Sequence, residues 1–430
     1  MMRVCSILFL LLVLLSSAAL LHGAGLPSDE AIEFELYIND RFHTLHDFFN
    51  SGSRKFNQDR DLHILYVNPY VAAPLGSYAY GVLELEAEFL FDFHNHAGDD
   101  TIEVRNAYIQ ALAPGCDWIA LTAGRQAIST LDGLLYDDNS LAISLHADME
   151  RGLDLPLKLR ALFTEVEHDS PYFHAELKYN FDFLESVTLS YSWFRDTNDG
   201  IARIFDYLEQ ERRYGSRGKL HWLGLSVRKF LGDALLRTTC IFGRGTVHLR
   251  QPGQGTRTMR VRSYLIDINL DYSLTERLSL SAFFFLSSGD KQPGQGTLRS
   301  FVSIDPYVDK TNIFFNGGID GQFSSDNVGL NGIQLPGVMA PGLVIDYRDG
   351  NRFSIKCILA YLLTHKGTGG QGHRYGWEAD LMGYYNLREN IQLFAELNVF
   401  EPGDYFRRLT DHRDHISTEF ICGVTYYFSR

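Results

Sequence analysis

From Gly376 to Phe400 the sequence reads GWEADLMGYYNLRENIQLFAELNVF, and its side chains alternate in character. Trp377, Ala379, Leu381, Gly383 and Tyr385 share one phase, with Glu378 and Asp380 on the other. After the turn-forming NLREN, Ile391, Leu393, Ala395, Leu397 and Val399 alternate with Gln392, Glu396 and Asn398. An extended backbone sends successive side chains to opposite faces. A chain built from such segments must therefore give its strands two different surroundings.

The pattern recurs along the whole chain. We read eighteen segments, at 31–38, 62–73, 80–93, 101–113, 117–126, 140–147, 156–167, 172–182, 186–195, 220–230, 235–246, 261–272, 277–287, 342–348, 352–364, 375–385, 390–400 and 416–428. Beyond the N-terminus no apolar run reaches the roughly 18 residues of a membrane-crossing helix, whereas a tilted strand crosses with about ten. The second face is often wholly polar: Val187, Leu189, Tyr191 and Trp193 alternate with Thr188, Ser190 and Ser192, and Ile266, Ile268, Leu270 and Tyr272 with Asp267, Asn269 and Asp271. A face of that kind suits a water-filled lumen better than a packed core. The expected fold is all-β, a single-domain transmembrane antiparallel barrel of about 18 strands.

The connections carry independent information because they alternate in length. Pro74–Ala79, Pro114–Cys116, Phe183–Glu185, Leu231–Ala234, Ser273–Glu276, Asp349–Asn351 and Asn386–Glu389 are tight. Asn39–Asp61, Ala127–Asn139, Asp196–Lys219, Ser288–Pro341, His365–Arg374 and Glu401–His415 are longer. Short turns at one end and long loops at the other mark an outer-membrane barrel. A hexapeptide, QPGQGT, occurs at 251–256 and at 292–297, both on the long-loop side. Trp118, Tyr179, Trp193, Trp222, Tyr272, Trp377 and Tyr385 lie near segment ends, where interfacial girdles are expected.

The first 25 residues, MMRVCSILFLLLVLLSSAALLHGAG, hold one Arg, an apolar stretch and then small residues, the layout of a secretory signal. We assign residues 1–24 to the signal and 25–430 to the barrel. With charged residues at 21%, 23 Tyr, 30 Phe and a net charge of −14, the composition suits strands and excludes nucleic acid as a partner, which needs a basic face. Cys116, Cys240, Cys357 and Cys422 have no metal or redox spacing and read as free thiols.

The C-terminal GWEADLMGYYNLRENIQLFAELNVFEPGDYF resembles the G-x-E-x-D … F-x-P-G-D-Y-F pattern of the alginate export family of outer-membrane barrels. So does RNAYIQALAPGCDWIALTAGRQAISTLDGLLYDD, with Arg105, Tyr108 and the triplet Gly124-Arg125-Gln126. The resemblance implies a monomeric eighteen-stranded barrel for passive polysaccharide secretion, with an arginine-lined constriction that includes Arg125.

Pointing the apolar faces at lipid leaves an inventory for the lumen: Arg105, Arg125, Lys158, Arg160, Arg228, Arg237, Glu378 and Asp380 as the substrate path, with Lys178, Arg262, Lys356 and the line Glu84, Glu86, Glu88 beside them. Arg favours carboxylates through bidentate hydrogen bonds, so Arg125 and Arg160 stand out. The alternative is that each cation is neutralised by an acid on the next strand. Ser288–Pro341 is long enough to carry a constriction. The only dense histidine groups, His94-Asn95-His96 and His412-Arg413-Asp414-His415, lie in loops and lack any hydrolase or metalloprotease motif. No catalytic residue, metal or cofactor is expected. The reading is a channel for an anionic polysaccharide or oligosaccharide, with lipid and the glycan as partners and room for a periplasmic secretion partner. The alternative is a porin for small hydrophilic solutes.

Overall fold

The computed structural model describes residues 32–50, 55–166, 170–197, 215–251, 255–291, 296–315, 336–366, 372–409 and 416–429. The signal assignment at 1–24 and the His412–His415 group fall outside the described residues. The strands are β1 (Glu33–Asn50), β2 (Lys55–Pro74), β3 (Ala79–Asp92), β4 (Ala97–Ala113), β5 (Cys116–Thr130), β6 (Tyr136–Asp148), β7 (Leu157–Val166), β8 (Ser170–Asn180), β9 (Ser186–Asp196), β10 (Gly215–Leu231), β11 (Ala234–Gln251), β12 (Gly255–Ser273), β13 (Leu278–Ser287), β14 (Thr297–Leu298), β15 (Val338–Asp349), β16 (Phe353–Thr364), β17 (Arg374–Arg388), β18 (Ile391–Pro402) and β19 (Ser417–Ser429). Two short helices, α1 (Met149–Leu153) and α2 (Asp404–Leu409), sit in connections.

Neighbours in sequence pair antiparallel, and β19 pairs with β1 from Glu35–Ser429 to His46–Thr418. The sheet thus closes on itself. The two-residue β14 runs parallel to β12 and stands apart from the wall, since β13 pairs directly with β15. Eighteen of the nineteen strands therefore form a closed antiparallel barrel. Closure matters in lipid, where an unpaired strand edge has no water to satisfy it.

The outer surface confirms the lipid-facing phase. Leu141, Ile102, Phe242 and Leu343 are 71%, 60%, 58% and 57% exposed, which only hydrocarbon surroundings make tolerable on this scale. Each of the eighteen expected segments corresponds to one wall strand, and the ends move. The largest change is Asn39–Asp61, expected as a loop: β1 and β2 stay paired as far as Asn50 and Lys55. There Asn39, Arg41 and His43 share the buried face with Leu45, and His46 shares the outward face with Phe42, so the hydrophobic alternation fades although the backbone pairs. The four cysteines are free and half-buried.

The lumen is the main departure from expectation. Its loop-side half is packed with apolar side chains, including inward-phase Leu220, Trp222, Ile241, Val247, Met259, Val261 and Phe285. Trp222, read as part of the girdle, lies inside and donates its indole N–H to the Val302 carbonyl at 3.0 Å. Trp118 takes the phase of buried Ala120 and packs beneath Gly152 of α1, where any added methyl would collide with the ring. Two of the seven girdle residues are therefore internal.

Candidate functional site

Two segments enter the lumen and meet there. The first is the tip of the β5–β6 hairpin. β4 stays paired to β5 only as far as Ala107–Arg125, and β7 to β6 only as far as Ala142–Thr164. Beyond those points residues 126–140 pair across the hairpin and no longer with β4 or β7, and the hairpin leaves the wall. Gly124 marks the departure, with φ +131° and a position where a Cβ would lie 2.3 Å from the Ala107 carbonyl oxygen. At the tip Leu131, Asp132 and Gly133 all have positive φ, which turns the chain back sharply. The tip is fastened at two places: Tyr172 donates its hydroxyl to Thr130 at 3.0 Å, and Thr239 donates to the Asp132 carboxylate at 2.8 Å.

The second segment runs through residues 296–315. It lies against the hairpin tip as an extra strand-like layer, with Asp137 N–H donating to the Asp305 carbonyl at 2.7 Å, Ile304 N–H to Leu135 at 3.0 Å and Tyr307 N–H to Gly133 at 3.0 Å. Lys310 reaches the wall, 2.8 Å from an Asp267 oxygen and 2.8 Å from Asn269 Oδ1. Its end is held by β17 and β18. Glu378 accepts from Thr311 Oγ1 at 2.7 Å, from Ile313 N–H at 2.5 Å and from Phe314 N–H at 2.9 Å. Asp380 accepts from Asn312 N–H at 3.1 Å, and Asn398 accepts from the Asn312 amide at 3.1 Å. Backbone groups taken out of water need such partners.

Both C-terminal motifs serve this anchorage. In the G-x-E-x-D stretch, Gly376 has φ +155° and no room for a Cβ, which would lie 2.2 Å from the Glu401 carbonyl oxygen, while Glu378 and Asp380 receive the segment. In the F-x-P-G-D-Y-F stretch, Tyr405 and Phe406 pack on Tyr375, which meets Phe314 at a ring separation of 5.1 Å, and Phe400 packs on both Phe314 and Phe406. Asp404 accepts from Arg374 N–H at 2.7 Å. Against the upward push of partial burial, hydrogen bonds from the backbone of Arg374 and His373 hold its carboxyl below the usual range. His365 ties the first part of the segment to the wall: its Nδ1 accepts from Gly289 N–H at 3.1 Å, and its Nε2 lies 3.2 Å from Tyr264 OH. Burial, with Lys366 beside it, lowers the imidazole below its ordinary value.

Between these segments and the wall strands β8 to β12 lies a polar cavity of ≈ 580 Å³. The wall contributes Lys178, Arg228, Arg237 and Asp267, and the inward segments contribute Asp132, Asp137, Asp309 and Lys310. Arg228 and Arg237 stand directly opposite each other. Arg237 is taken up by Asp271, at 2.8 Å; among the described residues Arg228 has no carboxylate within ion-pair distance. Cations on the wall thus face acids on the inserted segments across the gap.

The other expected path residues divide into several groups. Arg105 is on the inner face but neutralised: its Nη1 lies 3.0 Å from Glu86 and 2.7 Å from Tyr66 OH, and Glu84 is 3.8 Å away. A bulge at this point turns both Arg105 and Asn106 inward. Lys158 pairs with Asp148 at 2.8 Å. Arg160 faces inward opposite His146 and Glu176 and donates to the Ser129 carbonyl of the inserted hairpin at 3.0 Å. Glu378 and Asp380 face inward yet are covered by the segment they hold, each 1% exposed. Arg125 does not join this set: it stands opposite Ala107 and Leu141, the phase of exposed Leu121, while Gln126 takes the inner position and bonds Ser144 at 2.8 Å. Arg262 likewise has the outward phase of Tyr264 and Ile266. The sequence held the signal for both, since Arg125 alternates in step with Leu121 and Ala123, and Arg262 with Ile266 and Leu270. The inserted Asp132, Asp137, Asp309 and Lys310 had no such signal.

No protein-family model matches the chain, and no curated protein matches it. Solved structures do. OccK5 (OpdH) of Pseudomonas aeruginosa superposes with a TM-score of 0.55 at 13% identity, covering 92% of this chain and 98% of that one. OpdQ of the same organism gives 0.56 at 12% identity over 93% and 99%, and OpdK with vanillate gives 0.53 at 12% identity over 93% and 99%. The architecture is that of the Gram-negative outer-membrane channel barrels.

Proposed function

We propose that this barrel is a channel, and not an enzyme, that passes small hydrophilic anions across the outer membrane through the gap between its wall and its inserted segments. The observation that carries this reading is the cavity lined by Lys178, Arg228 and Arg237, in which Arg228 has no acidic partner among the described residues. An anion entering the gap replaces water around a guanidinium and gains charge-assisted hydrogen bonds. The acids opposite, Asp132 and Asp309, keep the passage from becoming a trap, because a conducted solute must bind weakly enough to leave. The OpdK structure with vanillate supplies a parallel, a small carboxylate held by a barrel of this architecture.

A polysaccharide conduit, implied by the resemblance to the alginate export family, is the second reading. The C-terminal motif residues behind that resemblance hold residues 311–314 inside the lumen. A gap of this size favours a small solute over a polymer.

The test is single-channel conductance in planar bilayers, with reversal potential under a salt gradient and block by benzoate-class carboxylates or by uronate oligomers. Anion preference with block by the small carboxylate is expected, and Arg228→Glu should move the preference toward cations. Block by uronate oligomers alone would establish the polymer reading. An unchanged reversal potential in Arg228→Glu would remove that residue from the path.

A further inference from the structure

The outer surface of β9 to β12 changes character at one level. Cross-strand register lines up Tyr191, Leu223, Phe242 and Tyr264 as a continuous apolar row. The next row toward the long loops is Trp193, His221, Arg244 and Arg262, and the one beyond it is Arg195, Lys219, Thr246 and Arg260. All these positions share the outward phase of Leu223 and Phe242, which are 51% and 58% exposed. A hollow of ≈ 960 Å³ lies among Arg195, Lys219 and Arg244.

Two features of this patch ask for an anion. Arg195 stands directly opposite Lys219, and Arg244 directly opposite Arg262; like charges so placed repel. None of the four, nor Arg260, has a carboxylate within ion-pair distance among the described residues, in a chain whose net charge is −14. Elsewhere on the outer surface the long-loop end of a strand is aromatic, as at Phe91 of β3 and Phe93 just past it, whose rings meet edge to face. The charge is concentrated on four adjacent strands, immediately above the hydrocarbon band.

We infer that this patch binds the phosphate groups of the outer-leaflet glycolipid. The position selects the ligand. Long loops mark the external end of such a barrel, so the two basic rows lie at the headgroup level of the outer leaflet, with the apolar row beneath them against the acyl chains. Guanidinium groups bind phosphate bidentately, and two rows about 7 Å apart along a strand, two residues of rise, present more than one such site to one headgroup. The inference stands apart from the channel reading, since these side chains point away from the lumen.

The experiment uses the purified full-length protein in detergent, with native mass spectrometry to count bound lipid. The probes are bis-phosphorylated lipid A, lipid A stripped of phosphate, and inorganic phosphate. Wild type should retain the phosphorylated lipid and discriminate against the stripped form, and inorganic phosphate should compete only weakly. Lys219→Gln with Arg244→Gln and Arg262→Gln should weaken retention roughly a hundredfold, at about fivefold per charge, while single-channel conductance is unchanged. Arg244→Gln alone, the milder change, should give about fivefold. Equal binding of the stripped lipid, equal competition by inorganic phosphate, or full retention by either variant would overturn the assignment.

Discussion

Glu378 shows how one residue holds an inserted segment in place. Its carboxylate accepts hydrogen bonds from the Thr311 hydroxyl and from the N–H groups of Ile313 and Phe314. Removing the acceptor leaves buried donors unsatisfied, at about 1–3 kcal/mol for each. Glu378→Ala should therefore free residues 311–314 from the wall, and planar-bilayer recordings should show larger and noisier conductance with a lowered unfolding temperature. Glu378→Gln keeps one acceptor oxygen and should fall between. A quiet pore of unchanged conductance in Glu378→Ala would show that the segment is held by its aromatic contacts alone. The sequence marks Glu378 and Asp380 as facing the lumen, because they alternate with Trp377 and Leu381. What it does not carry is their partner, sixty-odd residues upstream in a segment without periodicity. Arg105 teaches the same point from the other side: alternation gives its face, whereas the bulge that brings it to Glu86 is a property of the paired strands.

At the scale of elements, the departure of the β5–β6 hairpin from the wall depends on Gly124. A β-branched side chain there meets both the positive φ and the Ala107 carbonyl. Gly124→Val should cost about 1–3 kcal/mol in backbone strain alone and displace the hairpin from the lumen. A heat-modifiability gel should register the lower stability, and the conductance should rise. The same substitution leaving both unchanged would place the hinge elsewhere. The eighteen wall strands were legible because apolar alternation survives wherever a strand has lipid on one side. The inserted hairpin was not, since its buried face mixes Gln126 and Thr130 with Ile128, its exposed positions include Ala127, and Leu134, Leu135 and Tyr136 are buried in succession, so the period that separates strand from loop is lost. Trp222 illustrates the limit: its spacing fits the girdle, and only the presence of Val302 beside it shows that its side chain is inside.

At the scale of the whole molecule, the setting of His365 predicts a pH response. The neutral ring accepts from Gly289 N–H through Nδ1, a bond that the protonated ring cannot accept. Because burial lowers the folded-state pKa, the stability contributed is complete above the ordinary imidazole value of about 6.5. It is lost as pH falls from there through the lowered value. Conductance traces should therefore become noisier in mild acid, and His365→Gln should flatten that dependence. A response that persists in the variant would exclude His365 as its source.

The placement of the anchors also fixes an order of events. Residues 311–314 dock on Glu378, Asp380 and Asn398, which belong to β17 and β18, and the seam of the barrel is made by β19 with β1. The receiving surface exists only once β17 and β18 have paired, so the docking of residues 311–314 waits for the last strands of the chain. The hairpin tip is fastened instead to β8 and β11, so the two inserted segments have separate conditions for docking, one met in the middle of the chain and the other at its end.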